Sequence, residues 1–202
     1  MNAIAFQTPA KLFSDYSSRL SAALQGFDWT PVERLAYELR DCWQSGRQLF
    51  LCGNGGSGGN ANHLANDFLY ALSKTKGSGL RVHSLSANPS TITCLANDEG
   101  YDQVFSLQLA VLARAGDVLV VFSGSGNSPN IVKALEEAKT IGMTSYAVLG
   151  YSGGKAKALA DVPIHFAIDD MQIAEDAQMV IGHMLMQWLH AQRDEISSKR
   201  AG

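Results

Sequence analysis

Residues 49–72, reading LFLCGNGGSGGNANHLANDFLYAL, constrain the fold more than any other stretch. An apolar run (Leu49, Phe50, Leu51, Cys52) leads into a glycine-rich turn at 53–59, and a helical pattern begins at about Asn60. This is strand, loop and helix, with the loop at the carboxyl end of the strand, where parallel α/β sheets bind ligands. Gly53, Gly55, Gly56, Gly58 and Gly59 allow positive φ and a close backbone approach. The helix start that follows offers free N–H groups to an anion. Asn54 and Ser57 are placed to add hydrogen bonds. The loop is neither GxGxxG nor GxxxxGK[ST], so it does not read as a nucleotide site.

The rest of the chain extends the same pattern. Strands are expected at 80–85, 117–122, 144–149 and 162–167, each short, rich in Val, Ile, Leu or aromatics, and separated from the next by a helical stretch. Pro129 opens a helix that ends before Gly142, and the last helix spans about 172–193. Two amphipathic helices, 9–26 and 31–45, come first, with Thr30 as N-cap of the second. The expected fold class is α/β: a three-layer α/β/α sandwich around a mainly parallel five-stranded sheet, with N-terminal helices added. Residues 1–46 form a helical extension packing on the core or on a partner subunit, and 47–202 one compact unit.

Composition narrows the functional classes. With 202 residues and a net charge of −3, the chain is not a general nucleic-acid binder, and its basic cluster is confined to Lys199 and Arg200. Cys42, Cys52 and Cys94 show no CxxC spacing, and the start MNAIAFQTPAKLF lacks a basic segment followed by an apolar one. No apolar run reaches about 18 residues, so no membrane span is expected. The expectation is a reduced, cytoplasmic protein.

Three groups of residues can carry chemistry. A second loop, FSGSGNSPN at 122–130, again joins strand to helix, and Ser123, Ser125 and Ser128 with helix-terminal N–H groups make a phosphate cradle. His63 and Asp67 are four residues apart on one helix face. Glu175 and His183 lie eight apart on the last helix, roughly 80° apart in azimuth. Two imidazoles and two carboxylates suit Zn²⁺ or a similar divalent ion. They equally suit acid–base work on a sugar, and the spacing also fits a helix-surface pair. His83 and His165 fall in strands and read as packed core residues, and His190 as surface. Cys52 has no base beside it and is not a nucleophile.

Taken together, CGNGGS at 52–57, the His63–Asp67 pair, AND at 96–98, SGSGNS at 123–128, GGK at 153–155 and the late His183 resemble the SIS-domain (sugar isomerase) proteins, and within them the phosphoheptose isomerases. The resemblance implies a flavodoxin-like sheet and a small phosphosugar ligand. It implies that Asn54, Gly55, Gly56 and Ser57 meet substrate with Asn97 and Asp98 nearby, and that Ser123, Gly124, Ser125 and Ser128 hold the phosphate. It places zinc on His63, Asp67, Glu175 and His183, with Asp67 and His183 moving protons and Glu175 also near substrate. It implies a cytoplasmic homotetramer with sites at subunit junctions.

The chain departs from that pattern at Asp67 where relatives carry Glu, and at Glu175 where they carry Gln. Gln178 replaces an intermediate His, and Gly124 replaces Thr. The leading expectation is aldose–ketose isomerisation of sedoheptulose 7-phosphate to D-glycero-D-manno-heptose 7-phosphate through an enediol(ate). The alternatives are a non-catalytic phosphosugar-binding adaptor of the kind that associates with the bacterial replication initiator, and another ketose-phosphate isomerase.

Overall fold

In the computed structural model, residues 8–74 and 76–200 are described, with side chains as far as Ile196. The first seven residues of the expected extension, the final two of the expected compact unit and the side chains of Lys199 and Arg200 lie outside this set. Five strands, β1 (Gln48–Gly53), β2 (Arg81–Ser84), β3 (Val118–Ser123), β4 (Thr144–Leu149) and β5 (Val162–His165), form one sheet of order β2-β1-β3-β4-β5. Every pairing is parallel. The strand order reverses between β1 and β3, which opens a crevice beyond their carboxyl ends.

Alternation along the strands explains the two helical layers. Leu49, Leu51, Val118, Val120, Phe122 and Val148 face one side and are covered by α2 (Thr30–Ser45), α3 (Gly55–Asn66) and α8 (Met171–Ala191). Phe50, Cys52, Leu119, Val121, Ala147 and Leu149 face the other, against α5 (Ser106–Leu112), α6 (Pro129–Ile141) and α7 (Gly154–Leu159). The inner strands β1, β3 and β4 read as nearly continuous apolar runs because both faces are covered.

The N-terminal helices behave differently from each other. Val32, Leu35, Leu39, Cys42 and Trp43 of α2 are buried on the sheet, and Trp43 Nε1 donates to Ser78 O at 2.8 Å. Full burial of side chains such as Leu35 and Leu39 contributes about 1.5–3 kcal/mol each. The N-cap of α2 is Trp29 rather than Thr30, whose own N–H and hydroxyl donate to Asp28 Oδ1 at 3.0 and 2.7 Å. By contrast, α1 (Pro9–Gln25) buries none of its residues. It is tied to the start of α8 by Tyr16, whose hydroxyl donates to Asp176 at 2.5 Å, and by Arg19, which pairs with Asp170 at 2.6 Å. Burial and the Asp176 bond push the Tyr16 hydroxyl up to about 12, so it stays a donor.

Register sets where the two loops emerge. Buried Asp117 accepts from Gln48 N and Arg114 N, both at 2.8 Å, and locks the starts of β1 and β3 together. Gly53 then pairs with Phe122, so Asn54 and Ser123 leave the sheet side by side.

Candidate active site

The first turn is tighter than the sequence suggests. α3 begins at Gly55, not near residue 60, so the glycine run is mostly helix. Among the five glycines expected to use positive φ, Gly55 (φ +53°) does so. Gly53, Gly56 and Gly58 are small for a different reason. A Cβ on Gly53 would lie 2.5 Å from Ser57 O, one on Gly58 2.8 Å from Gly53 O, and one on Gly56 2.4–2.6 Å from the Glu175 carboxyl group. The helix can therefore start directly at the sheet edge, leaving its first N–H groups without intrahelical partners and open to an anion.

Asn54 is the N-cap residue of α3, yet its side chain makes no capping bond. It turns instead to Asn130 on α6, with which it exchanges two hydrogen bonds of 2.9 Å. The Tyr101 hydroxyl donates to Asn54 Oδ1 at 3.0 Å.

The second turn is braced from behind. Ser123 Oγ accepts from Gly126 N at 3.0 Å, and Ser125 Oγ accepts from Asn127 N at 3.3 Å. Gly126 has φ +66°, and a Cβ there would fall 2.0 Å from Gly153 O. Lys155 N donates to Asn127 Oδ1 at 3.1 Å, so the 153–155 loop holds the serine loop in place. Ser128, the N-cap of α6, makes no capping bond with its hydroxyl.

Both turns open onto one crevice of about 260 Å³, lined by Asn54, Gly55, Gly56 and Ser57 on one side and Ser123, Gly124, Ser125 and Ser128 on the other, with Phe122 at its floor. Met171 and Glu175 of α8 close it. No Lys or Arg lines it among the described residues, so positive potential comes from helix-start amides and hydroxyls. The Thr-to-Gly departure at 124 has a structural partner: a Cβ there would meet Met171 Sδ at 2.4 Å.

The imidazoles converge two helical turns farther along. α3 and α8 run side by side in the same direction: Gly56 faces Glu175, Asn60 Nδ2 donates to Glu175 O and Gln178 Oε1 at 3.0 Å, and Gly182 lies under Leu64. At the next step His63 Nε2 lies 3.2 Å from His183 Nε2, 3.4 Å from Asp67 Oδ2, and His183 Nε2 lies 3.8 Å from Asp67 Oδ2. Donor atoms around a tetrahedral Zn²⁺ at 2.0–2.1 Å stand roughly 3.3 Å apart, so this set fits such an ion. Both imidazoles are about half exposed and Asp67 is 15% exposed, which leaves an open side for substrate or water. Asp67 opens a π-helical turn, Asp67–Ala71, a local widening often found at functional positions.

Other predicted residues are placed differently. Glu175 stands apart from the three-residue cluster, with its carboxyl group against Gly56 in the crevice. Asn97 and Asp98 are exposed at the end of α4 (Pro89–Asp98), where Asn97 Nδ2 donates to Asp98 Oδ1 at 2.7 Å, and they do not line the crevice. His83 is exposed rather than packed, because β2 is an edge strand. His165 is half-buried and bonds Tyr151 O at 2.9 Å. His190 is not a free surface residue: its Nδ1 bonds Leu72 O at 2.5 Å.

Asn130, Tyr101, Met171 and Asn60 went unnoticed in the sequence. Asn130 sits two residues after the last serine of the loop, the one signal that pointed to it. Gln178 is fully buried, and its Nε2 has no partner.

Comparison with known proteins agrees with this geometry. Residues 13–150 match the SIS domain. The chain is 37% identical over 155 residues to the phosphoheptose isomerase of Trichlorobacter lovleyi, covering 77% of this chain and 79% of that protein. It is 39% identical over 138 residues to that of Helicobacter pylori, covering 68% and 71%. A solved phosphoheptose isomerase from Neisseria gonorrhoeae superposes with a TM-score of 0.83 at 28% identity, covering 91% of this chain and 100% of that one. One from Francisella tularensis gives 0.84 at 26%, covering 92% and 100%.

Proposed function

The chain belongs to the SIS domain family, among the phosphoheptose isomerases, and on that premise we propose that it interconverts sedoheptulose 7-phosphate and D-glycero-D-manno-heptose 7-phosphate. It is an aldose–ketose isomerase. The observation that carries the reading is one helix, α3, with the glycine turn at its start, His63 about 12 Å farther along and Asp67 about 18 Å along in the turn that continues it. A phosphate held between the serine and glycine turns puts the far end of an extended seven-carbon chain toward the imidazole end.

In this reading Ser123, Ser125 and Ser128, the α3 start and Ser57 bind the phosphate, and Asn54 with Glu175 meets the polyol. Asn97 and Asp98, exposed at the end of α4, approach the substrate from the outer side. Asp67 takes a proton from C1 of the ketose, giving an enediol(ate), and returns it to C2. His183 exchanges the proton between the C2 and C1 oxygens as the carbonyl moves. His63, Asp67 and His183 would hold a Zn²⁺ ion, while Glu175, two turns away against Gly56, is left to the substrate. When bound, the ion would stabilise negative charge on the substrate oxygens.

We also propose a homotetramer with sites at subunit junctions. The half-exposed imidazoles and the apolar residues left uncovered on α1, with Phe13 69% exposed, support that assembly. No helix among the described residues is long and apolar enough to cross a membrane.

The test is to incubate the purified protein with sedoheptulose 7-phosphate in D₂O, with and without Zn²⁺. Following the sugar by NMR should show aldoheptose phosphate and solvent deuterium at C1 or C2. Absence of both product and deuterium with every C5–C7 ketose phosphate sinks the proposal and leaves a phosphosugar-binding protein.

A further inference from the structure

The two turns are clasped to each other by side chains. Asn54 Nδ2 donates to Asn130 Oδ1 and Asn130 Nδ2 donates to Asn54 Oδ1, both at 2.9 Å. Asn130 is only 1% exposed, in the first turn of α6, while Asn54 lines the crevice. The Tyr101 hydroxyl takes the remaining acceptor position of Asn54 Oδ1 at 3.0 Å.

A primary carboxamide has two N–H donors and an oxygen with two lone pairs. On Asn54, Asn130 uses one donor, and Asn130 with Tyr101 uses both lone pairs. One Nδ2–H is left. A buried amide deprived of its partner loses the full cost of its desolvation, so Asn130 strongly resists any rotation of Asn54.

We propose that Asn130 is a positioning residue for the isomerase, fixing the Asn54 carboxamide so that it meets the phosphosugar as a single N–H donor to a substrate oxygen. This rests on the isomerase reading above. Asn130 never touches substrate; it acts through Asn54, and it also sets the separation of the two turns across the sheet's switch point. Tyr101, reaching in from the segment after α4, completes the bracket. Recognition at Asn54 is therefore of acceptors: a carbonyl, alkoxide or phosphate oxygen, or the lone pair of a hydroxyl.

A double-mutant cycle tests this. Asn130→Ala is expected to lower kcat/KM for sedoheptulose 7-phosphate roughly tenfold in the parent protein, and less than about twofold when residue 54 is already Ala. Equal losses in both backgrounds mean a merely structural role and overturn the proposal, as does no loss in the parent. Asn54→Asp gives a second reading: it can still accept from Asn130 and Tyr101, but it loses the bond donated to Asn130 Oδ1 and has no donor to offer substrate. It should lose roughly tenfold, and parent-like kcat/KM in this variant also overturns the proposal. Should Asn130→Ala fail to fold, Asn130→Asp replaces it in the cycle, since it keeps the shape but opposes two oxygens. Turnover by the unmodified chain separates the two claims. If that chain is inactive, the isomerase reading has failed by itself, and the same non-additivity is then read in the calorimetric Kd for sedoheptulose 7-phosphate.

Discussion

His63 Nε2 and His183 Nε2 stand 3.2 Å apart across 120 residues of chain, and Asp67 Oδ2 lies within 3.8 Å of both. Nothing in either helix alone creates this; it follows from α3 and α8 running in step, with Gly182 small enough for Leu64 to sit on it. A Cβ at residue 182 would fall 2.3 Å from Leu64 Cδ2. Removing one imidazole should therefore abolish ion binding without unfolding the protein, because both rings are half exposed. His63→Ala and His183→Ala are expected to lose bound divalent metal by elemental analysis. His183→Ala should lower kcat about 10²–10⁴-fold as a lost proton carrier. Full activity in both variants would remove the cluster from the mechanism.

Gly124 and Met171 form a second matched pair. Because a Cβ at 124 would meet Met171 Sδ at 2.4 Å, Gly124→Thr, which restores the residue usual in the resembling loop, should push Met171 into the crevice. The expected result is a raised KM with the fold intact, and recovery when Met171→Ala is added. A Gly124→Thr protein with unchanged KM would show that Met171 has room to move elsewhere.

Ser128 offers the most direct probe of the phosphate site, since its hydroxyl lines the crevice and makes no capping bond of its own. A hydrogen bond to a charged group contributes about 1.5–3 kcal/mol, so Ser128→Ala should raise KM on the order of 10–100-fold with little change in thermal midpoint. A stability loss with unchanged KM would assign the hydroxyl to the fold instead.

How far these features were legible beforehand depended on their range. Apolar runs marked β1, β3 and β4, because a strand buried on both faces needs no long-range information to be recognised; the edge strands β2 and β5 were marked by their place between helical stretches. The serine and glycine turns were visible for the same local reason. The start of α3 was misplaced because glycine is usually a helix breaker, whereas here Gly53, Gly56 and Gly58 are required by contacts with Ser57, Glu175 and the strand end. The separation of Glu175 from His63 was also hidden. Azimuth along α8 can be computed from spacing, but the 12 Å or so of rise between Glu175 and His183 places them beside different turns of α3. The role of Asn130 was hidden because its reciprocal amide pair links positions 76 residues apart.

Thiol chemistry checks the burial pattern. Burial pushes Cys42 up to about 12 and raises Cys52 further, so neither offers thiolate near neutrality. Cys94 is exposed, but its bond to Asp98 and the charge of that group hold its pKa up as well. One thiol per chain should react with an aromatic disulfide in the native protein, slowly at pH 7, and three after unfolding. Asp98→Asn should speed the native reaction, since it removes the negative charge that opposes thiolate. Native labelling of more than one thiol would contradict the buried positions of Cys42 and Cys52.

Acid should loosen the start of α8. Burial alone would raise the Asp170 pKa, but the Arg19 bond and the Ile173 N–H outweigh it and hold the group below its ordinary value of 3.8. A carboxylate lowered in this way stabilises the fold above that ordinary value, and the contribution disappears as pH falls through the lowered one. Between about pH 4 and lower values, then, the first turn of α8 should loosen and release α1, whose Arg19 is bound there. Met171 lies in that first turn and Glu175 in the next, so phosphosugar binding should weaken over the same window. Asp170→Ala should reproduce this at neutral pH at a cost of about 0.5–2 kcal/mol, typical of a lost N-cap. Asp170→Asn, which keeps a capping oxygen but not the charge, should lose only the Arg19 pair. Amide exchange at Ile173 measures both, and protection unchanged in Asp170→Ala would show that α8 is held at its start by packing alone.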